Sequence, residues 1–174
     1  MSRYDGIEYG LRTSELSSTE ALFASIRHQG FNDVVKGRIL AGNYFLLREN
    51  YDEYFEQALK VRRLISRDFL NVFNDEKVDL LLTPVTLSDA PSYSKFSKSD
   101  NRTQTAKHDF CTQPINLAGI PAASIPVKLS ANSLPISLQV IGAYGQDLKV
   151  LNLCQWLEDR IHFPQPKIIY EEKS

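Results

Sequence analysis

Residues 108–127 read His-Asp-Phe-Cys-Thr-Gln-Pro-Ile-Asn-Leu-Ala-Gly-Ile-Pro-Ala-Ala-Ser-Ile-Pro-Val. Three prolines and a glycine punctuate a largely apolar run, so the backbone path is closely defined. Pro114 and Pro121 lack an amide donor and bias the residue before them toward extended geometry. Gly119 can take a positive φ or admit a close backbone approach. The pattern predicts a helix end and a Pro-rich turn feeding a strand over 122–129. Asp109 is an ionisable group at the entrance to this segment, and the local pattern gives it no task.

Downstream, Ser130-Ala-Asn-Ser-Leu-Pro carries turn residues, and Ile136-Ser-Leu-Gln-Val-Ile-Gly alternates as a half-buried strand does. The two strands are expected to form a hairpin, followed by an amphipathic helix over 147–161, with Pro164 and Pro166 ending the ordered part. Upstream, Val78-Asp-Leu-Leu-Leu-Thr before Pro84 predicts a short strand covered on both faces. Residues 86–105 are polar with little apolar periodicity and predict a surface loop, either a lid or a plain insert. A short helix is expected near 104–112.

Toward the N-terminus, Ser17 and Glu20 have capping-box spacing ahead of Ala21, Leu22, Phe23 and Ile26. A helix is expected over 17–28, stopped by Gly30. Asn32 can cap a second helix reaching Leu46, although Gly37 and Gly42 each cost roughly 1 kcal/mol there. Such glycines suggest that something packs close. The strongest periodicity is in 51–73, where Tyr51, Tyr54, Phe55, Ala58, Val61, Ile65, Phe69 and Val72 share one helical face. Asn50 and Glu53 are its expected cap. About five helices and three strands make an α/β composition, and strands that look doubly covered suggest part of a larger sheet.

The chain of 174 residues has the size of one domain, with 43% hydrophobic and 24% charged residues. A net charge of −1 offers no basic field for direct RNA contact. Cys111 and Cys154 are too few and isolated for a disulfide framework and read as free, buried thiols. No apolar run approaches the roughly 20 residues of a membrane helix, and the N-terminus has no signal-peptide core. Phosphate-cradling GxxxxGK, GxSxG, HExxH and CxxC patterns do not occur. No catalytic residue and no metal ligand set is therefore assigned, and His28, His108 and His162 read as surface or helix-end residues.

Arg38 reads either as a solvated helix arginine or as a guanidinium fork for a carboxylate. Asp109 has the complementary option of accepting bonds from a cationic amine. Together the pair could hold an amino acid by both ends of its backbone.

With these residues in view, the chain resembles the C-terminal portion of the amidase signature family. The likeness is greatest to its branch of A subunits of glutamyl-tRNA(Gln) amidotransferases. It is carried by Ser2-Arg-Tyr-Asp-Gly-Ile, Arg38-Ile-Leu-Ala-Gly, Tyr51-Asp-Glu-Tyr-Phe, Ala58-Leu-Lys-Val-Arg, Pro114-Ile-Asn-Leu-Ala-Gly-Ile-Pro and Leu134-Pro-Ile-Ser-Leu-Gln-Val-Ile-Gly, in that order. The resemblance implies that 1–174 is the C-terminal part of an α/β/α domain with a mixed central sheet covered by helices. It implies a glutaminase half-reaction feeding ammonia to glutamate on tRNA, with Arg38 on the α-carboxylate of glutamine and Asp109 on its α-amino group.

The family's catalytic lysine and two serines fall upstream of Met1, so the chain is expected to be a fragment, inactive alone. Glutamine and subunits B and C are the implied partners, with Glu-tRNA(Gln) engaged mainly through a partner subunit; no membrane is implied. That partner would use ATP and Mg; no cofactor is expected in this chain. The implied compartment is the mitochondrial matrix, or the cytoplasm of a bacterium. Alternatives are a free-standing amidase for another acyl substrate and a non-catalytic piece that only binds partner subunits.

Overall fold

The computed structural model describes residues 3–14, 17–98 and 100–164 and divides the chain into two units, residues 1–59 and 60–174. Pro166, expected to help end the ordered part, lies outside the described residues.

In the first unit, helix α1 spans Thr19–Gly30 and helix α2 spans Asp33–Leu46. The cap of α1 is Ser18, one residue after the expected Ser17, and its hydroxyl accepts from Ala21 N. A cap of this kind is worth about 1 kcal/mol. Gly30 is the last helical residue, and its missing side chain makes room for Tyr4: a Cβ there would lie 2.6 Å from Tyr4 Cε1. Tyr4 in turn stacks on buried Phe31, with ring centroids 4.9 Å apart. Leu22 and Ile26, one turn apart on α1, are the other buried hydrophobic residues among those described in this unit.

Asn32 caps α2 as expected, its side chain accepting from Val35 N at 3.0 Å. No residue of α2 is buried. Among the described residues nothing lies within 4 Å of a Cβ at Gly42, so the close packing expected at that glycine is not found.

The expected helix over 51–73 is present, but its first six residues are π-helical. A single turn, α3 (Arg48–Asn50), leads into a π-helical stretch at Tyr51–Glu56, and α4 runs from Gln57 to Asn74. Asn50 is not a cap: helix already precedes it, and its Nδ2 donates to Tyr44 O at 3.0 Å. The widened turn brings Phe45 and Tyr54 to a centroid separation of 5.2 Å.

In the second unit, strands β1 (Leu81–Pro84), β2 (Ala122–Leu129) and β3 (Pro135–Ile141) form an antiparallel sheet in the order β1-β3-β2. The expected hairpin is present, with Ala122 opposite Ile141 and Leu129 opposite Pro135. Pro126 sits at a bulge on an edge strand, where a missing amide donor costs no ladder bond. Central β3 carries the burial: Val140 and Ile141 are almost fully enclosed. β1 departs from expectation. It is an edge strand with alternating exposure, and Leu82 is open on one face, so the triple leucine is not covered on both sides here.

Two apolar clusters flank β3. On one side Phe73, Ile115 and Ile141 meet; on the other Ile125 and Val140 meet Val150. Helix α8 (Asp147–Ile161) supplies that second side with Val150, Leu153, Cys154 and Leu157, at the spacing of one helical face. Leu148, Leu151 and Trp156 face outward. Trp156 is half exposed, with the Arg160 guanidinium 3.9 Å above its ring.

The polar stretch 86–105 is not all loop. It holds a turn of helix, α5 (Tyr93–Phe96), and the start of α6 (Asn101–His108), which Asp100 caps by accepting from Thr103 N and Oγ1. The helix expected near 104–112 is thus α6 followed by a 3-10 turn, Asp109–Cys111. The expected Pro-rich turn is instead helix α7 (Gln113–Ala118), because proline is tolerated in a first helical turn. Gly119 ends it in the left-handed region at φ 72°; of the two options its sequence offers, it takes the positive φ and not the close approach, since nothing among the described residues lies within 4 Å of an added Cβ.

Candidate substrate-binding site

Asp109 is half-buried and sits where α6 hands over to the 3-10 turn. Its backbone carbonyl accepts from Thr112 N at 3.0 Å and from Thr112 Oγ1 at 3.2 Å. Two residues on, the Cys111 carbonyl accepts from the Gln139 side chain at 2.8 Å. Among the described residues the Asp109 carboxylate itself has no hydrogen-bond or ion-pair partner. The main chain is fixed on both sides while the acid is left open. A cleft of about 260 Å³, which mixes polar Thr112, Asn116, Ser124 and Gln139 with apolar Val85, Ile115 and Ile120, opens near the turn and does not include Asp109.

The turn is held from below as well. Ile115 of α7 is buried against Phe73 and Ile141, and Arg62 Nε of α4 donates to Leu117 O at 2.7 Å. The approach to α6 is moored at Asp89, which accepts from Ser130 Oγ at 2.7 Å and Asn132 Nδ2 at 3.0 Å in the hairpin turn. The Ser130 hydroxyl, then the Asn132 amide, hold the Asp89 carboxyl below its ordinary value.

Arg38 lies exposed on α2 in the first unit, and its guanidinium has no hydrogen-bond or ion-pair partner among the described residues. It stands one turn before Gly42, on the helical face that lines an apolar cleft of about 430 Å³ with Phe45, Leu46, Tyr54, Phe55 and Ala58. The two expected site residues therefore belong to different units, each with an unengaged charge.

The three histidines all stand at helix ends, His28 in the last turn of α1, His108 at the end of α6 and His162 at the C-cap of α8. Cys111 and Cys154 are free and half-buried, and burial pushes the Cys154 thiol up, with Glu158 adding to it. Among the described residues no group of three or more His, Cys, Asp or Glu side chains could hold a metal ion. No helix among them is long and apolar enough to cross a membrane. A hollow of about 900 Å³ between the hairpin and the end of α8 is lined mainly by Ile125, Leu129, Pro135, Ile161 and Phe163. It includes neither Asp109 nor Arg38.

The fold and the motif order meet in one class of protein: residues 1–151 match the Amidase family profile, and the chain belongs to the amidase family. Both Arg38 and Asp109 fall inside the matched span. The chain is 60% identical to the A subunit of the mitochondrial glutamyl-tRNA(Gln) amidotransferase of Anopheles gambiae, over 94% of its length and 33% of that relative's. It is 55% identical to the human mitochondrial A subunit, over 94% of its length and 31% of the relative's.

Among solved structures, the glutamyl-tRNA(Gln) amidotransferase A subunit from Thermotoga maritima matches with a TM-score of 0.59 and 32% identity, covering 84% of this chain and 32% of that one. A crystal structure described as an amidase matches with a TM-score of 0.60 and 29% identity, covering 80% and 33%. The α/β architecture is that of the amidase signature fold, and the chain spans about a third of the length of the relatives it matches.

Proposed function

We propose that this chain is the C-terminal, substrate-binding part of the glutaminase subunit of a glutamyl-tRNA(Gln) amidotransferase. The observation that carries the reading is the 60% identity to an A subunit over 94% of the chain. The chemistry of the two open charges supports it. Glutamine offers an α-carboxylate suited to the Arg38 fork and an α-ammonium suited to the Asp109 carboxylate. Neither group attacks the side-chain amide. In this reading they orient it, while a lysine and two serines supplied by the rest of the subunit would catalyse its hydrolysis, the C–N bond giving way to a C–O bond from water with release of ammonia and glutamate.

The ammonia would pass to Glu-tRNA(Gln) bound mainly by a partner subunit, which would use ATP and Mg. Subunits B and C are the proposed partners. The relatives named mitochondrial support the mitochondrial matrix as the compartment. A glutaminase assay on the full-length subunit with its partners tests the reading. Asp109→Ala should raise the glutamine KM strongly, and a KM left at the wild-type value would sink the assigned role.

The match to a structure described simply as an amidase favours a second reading, hydrolysis of another amide. Turnover of aliphatic or aryl amides with glutamine ignored would select it.

A further inference from the structure

Gln139 is a buried polar side chain, 4% exposed in the middle of the central strand β3. A polar group in that position needs partners. Its Nε2 faces three acceptors: Cys111 O at 2.8 Å, Thr83 Oγ1 at 2.9 Å and Pro84 O at 3.2 Å. The orientation of the amide follows from chemistry. Carbonyls only accept, so the nitrogen and not the oxygen must face Cys111 and Pro84.

The acceptors come from two distant stretches, the end of β1 and the 3-10 turn Asp109–Cys111. One side chain thus ties the turn to the two strands nearest it. Cys111 O ends that turn two residues after Asp109, while Thr112 holds the Asp109 carbonyl from the other side.

From this geometry we infer that Gln139 is a positioning residue for substrate recognition: its carboxamide clamps the Asp109 turn and sets where the free carboxylate stands. The inference rests on the proposed role of Asp109 in binding an α-ammonium group. Gln139 itself touches no substrate in this account. A recognition group needs its supporting shell locked, because a loosened support misplaces the charge without removing it.

The test uses the full-length subunit with its partners, as wild type, Gln139→Met, Asp109→Asn and the double variant. Methionine keeps an unbranched chain of similar length and removes both donors. Two readouts are taken: glutamine KM and kcat, and the alkylation rates of Cys111 and Cys154 by mass spectrometry. Gln139→Met is expected to raise KM about tenfold with kcat within about twofold. In the Asp109→Asn background it should add little, because the misplaced group is already disabled. Cys111 should alkylate at least about fivefold faster, with Cys154 unchanged, as the turn opens.

An unchanged Cys111 rate overturns the clamp. So does a KM effect that multiplies undiminished onto Asp109→Asn. If Asp109→Asn itself leaves the glutamine KM at wild type, the amine assignment falls, and the Cys111 rate still decides the clamp by itself. Should Gln139→Met fail to fold, Gln139→Asn carries the same readouts. Its amide is one methylene shorter, so it keeps donors for β1 but withdraws from Cys111.

Discussion

Strand β3 and helix α2 carry similar shares of apolar residues, yet they are held in opposite ways. In β3, Val140 and Ile141 are enclosed by clusters on both faces, and the polar Gln139 is buried with its donors engaged. In α2, no residue is buried, and Leu40, Phe45 and Leu46 are exposed. In the proposed reading, Asp109 would take the amine of glutamine and Arg38 its carboxylate. The amine end is positioned by packing and hydrogen bonds inside its own unit. The carboxylate end has a well-capped helix and an unengaged cation, with no comparable internal support.

The contrast is broken most directly by truncating one residue on each side. Ile141→Ala should cost about 2–5 kcal/mol, the range for a core isoleucine, whereas exposed Leu40→Ala should stay within about 0.5 kcal/mol. Urea unfolding of the chain checks both, and equal losses would erase the distinction. Next in size is Arg38→Ala in the full-length subunit. Loss of hydrogen bonds to a charged group, roughly 1.5–3 kcal/mol, should raise the glutamine KM about 10- to 150-fold. Arg38→Lys should recover only part of it, because an ammonium cannot form the fork. A KM within twofold of wild type would remove Arg38 from the site.

Smaller still is Gly119→Ala. Nothing lies within 4 Å of the added Cβ among the described residues, so only the left-handed backbone at φ 72° opposes it. The cost should be about 1 kcal/mol, read as a lower urea midpoint with an unchanged slope. The gentlest probe is acid. The Ser130 hydroxyl and Asn132 amide lower the Asp89 carboxyl, so this mooring is fully present above the unfolded carboxylate value of about 3.9 and is lost as pH falls through the lower folded value. Amide exchange in the hairpin turn should quicken below about pH 4 in the wild type, beyond its intrinsic pH dependence. Asp89→Asn should flatten that excess.

The hairpin, the α8 face and the Asn32 cap are all legible in the chain, because each rests on local chemistry. Other features are not, for identifiable reasons. The π-helical turn at Tyr51–Glu56 leaves the three-and-four spacing of its aromatics intact, so the pattern looks like one continuous helix. Helix α6 has almost no apolar residues, and only the Asp100 cap marks its start. The triple leucine at the start of β1, Leu80 to Leu82, has the composition of a doubly covered strand, but exposure is set by which neighbours the chain supplies. Arg38 and Asp109 are visible in the sequence as charges, but only the family resemblance pairs them. Gln139 does not stand out, since an amide in an alternating strand fills the polar position. Only the fold reveals that residues 83, 84 and 111 converge on it.

Trp156 is the only tryptophan in the chain and stands half exposed on the outer face of α8, roofed by Arg160 from the following turn. That arrangement fixes what fluorescence can see. Its emission depends on water at the indole and on the guanidinium above it, both governed by the last turns of one helix. Fraying there shifts the signal while β3 and its clusters are still intact. A melting curve followed by this emission should therefore include the fraying of the end of α8, whereas far-UV circular dichroism averages over the helices and strands of the whole chain.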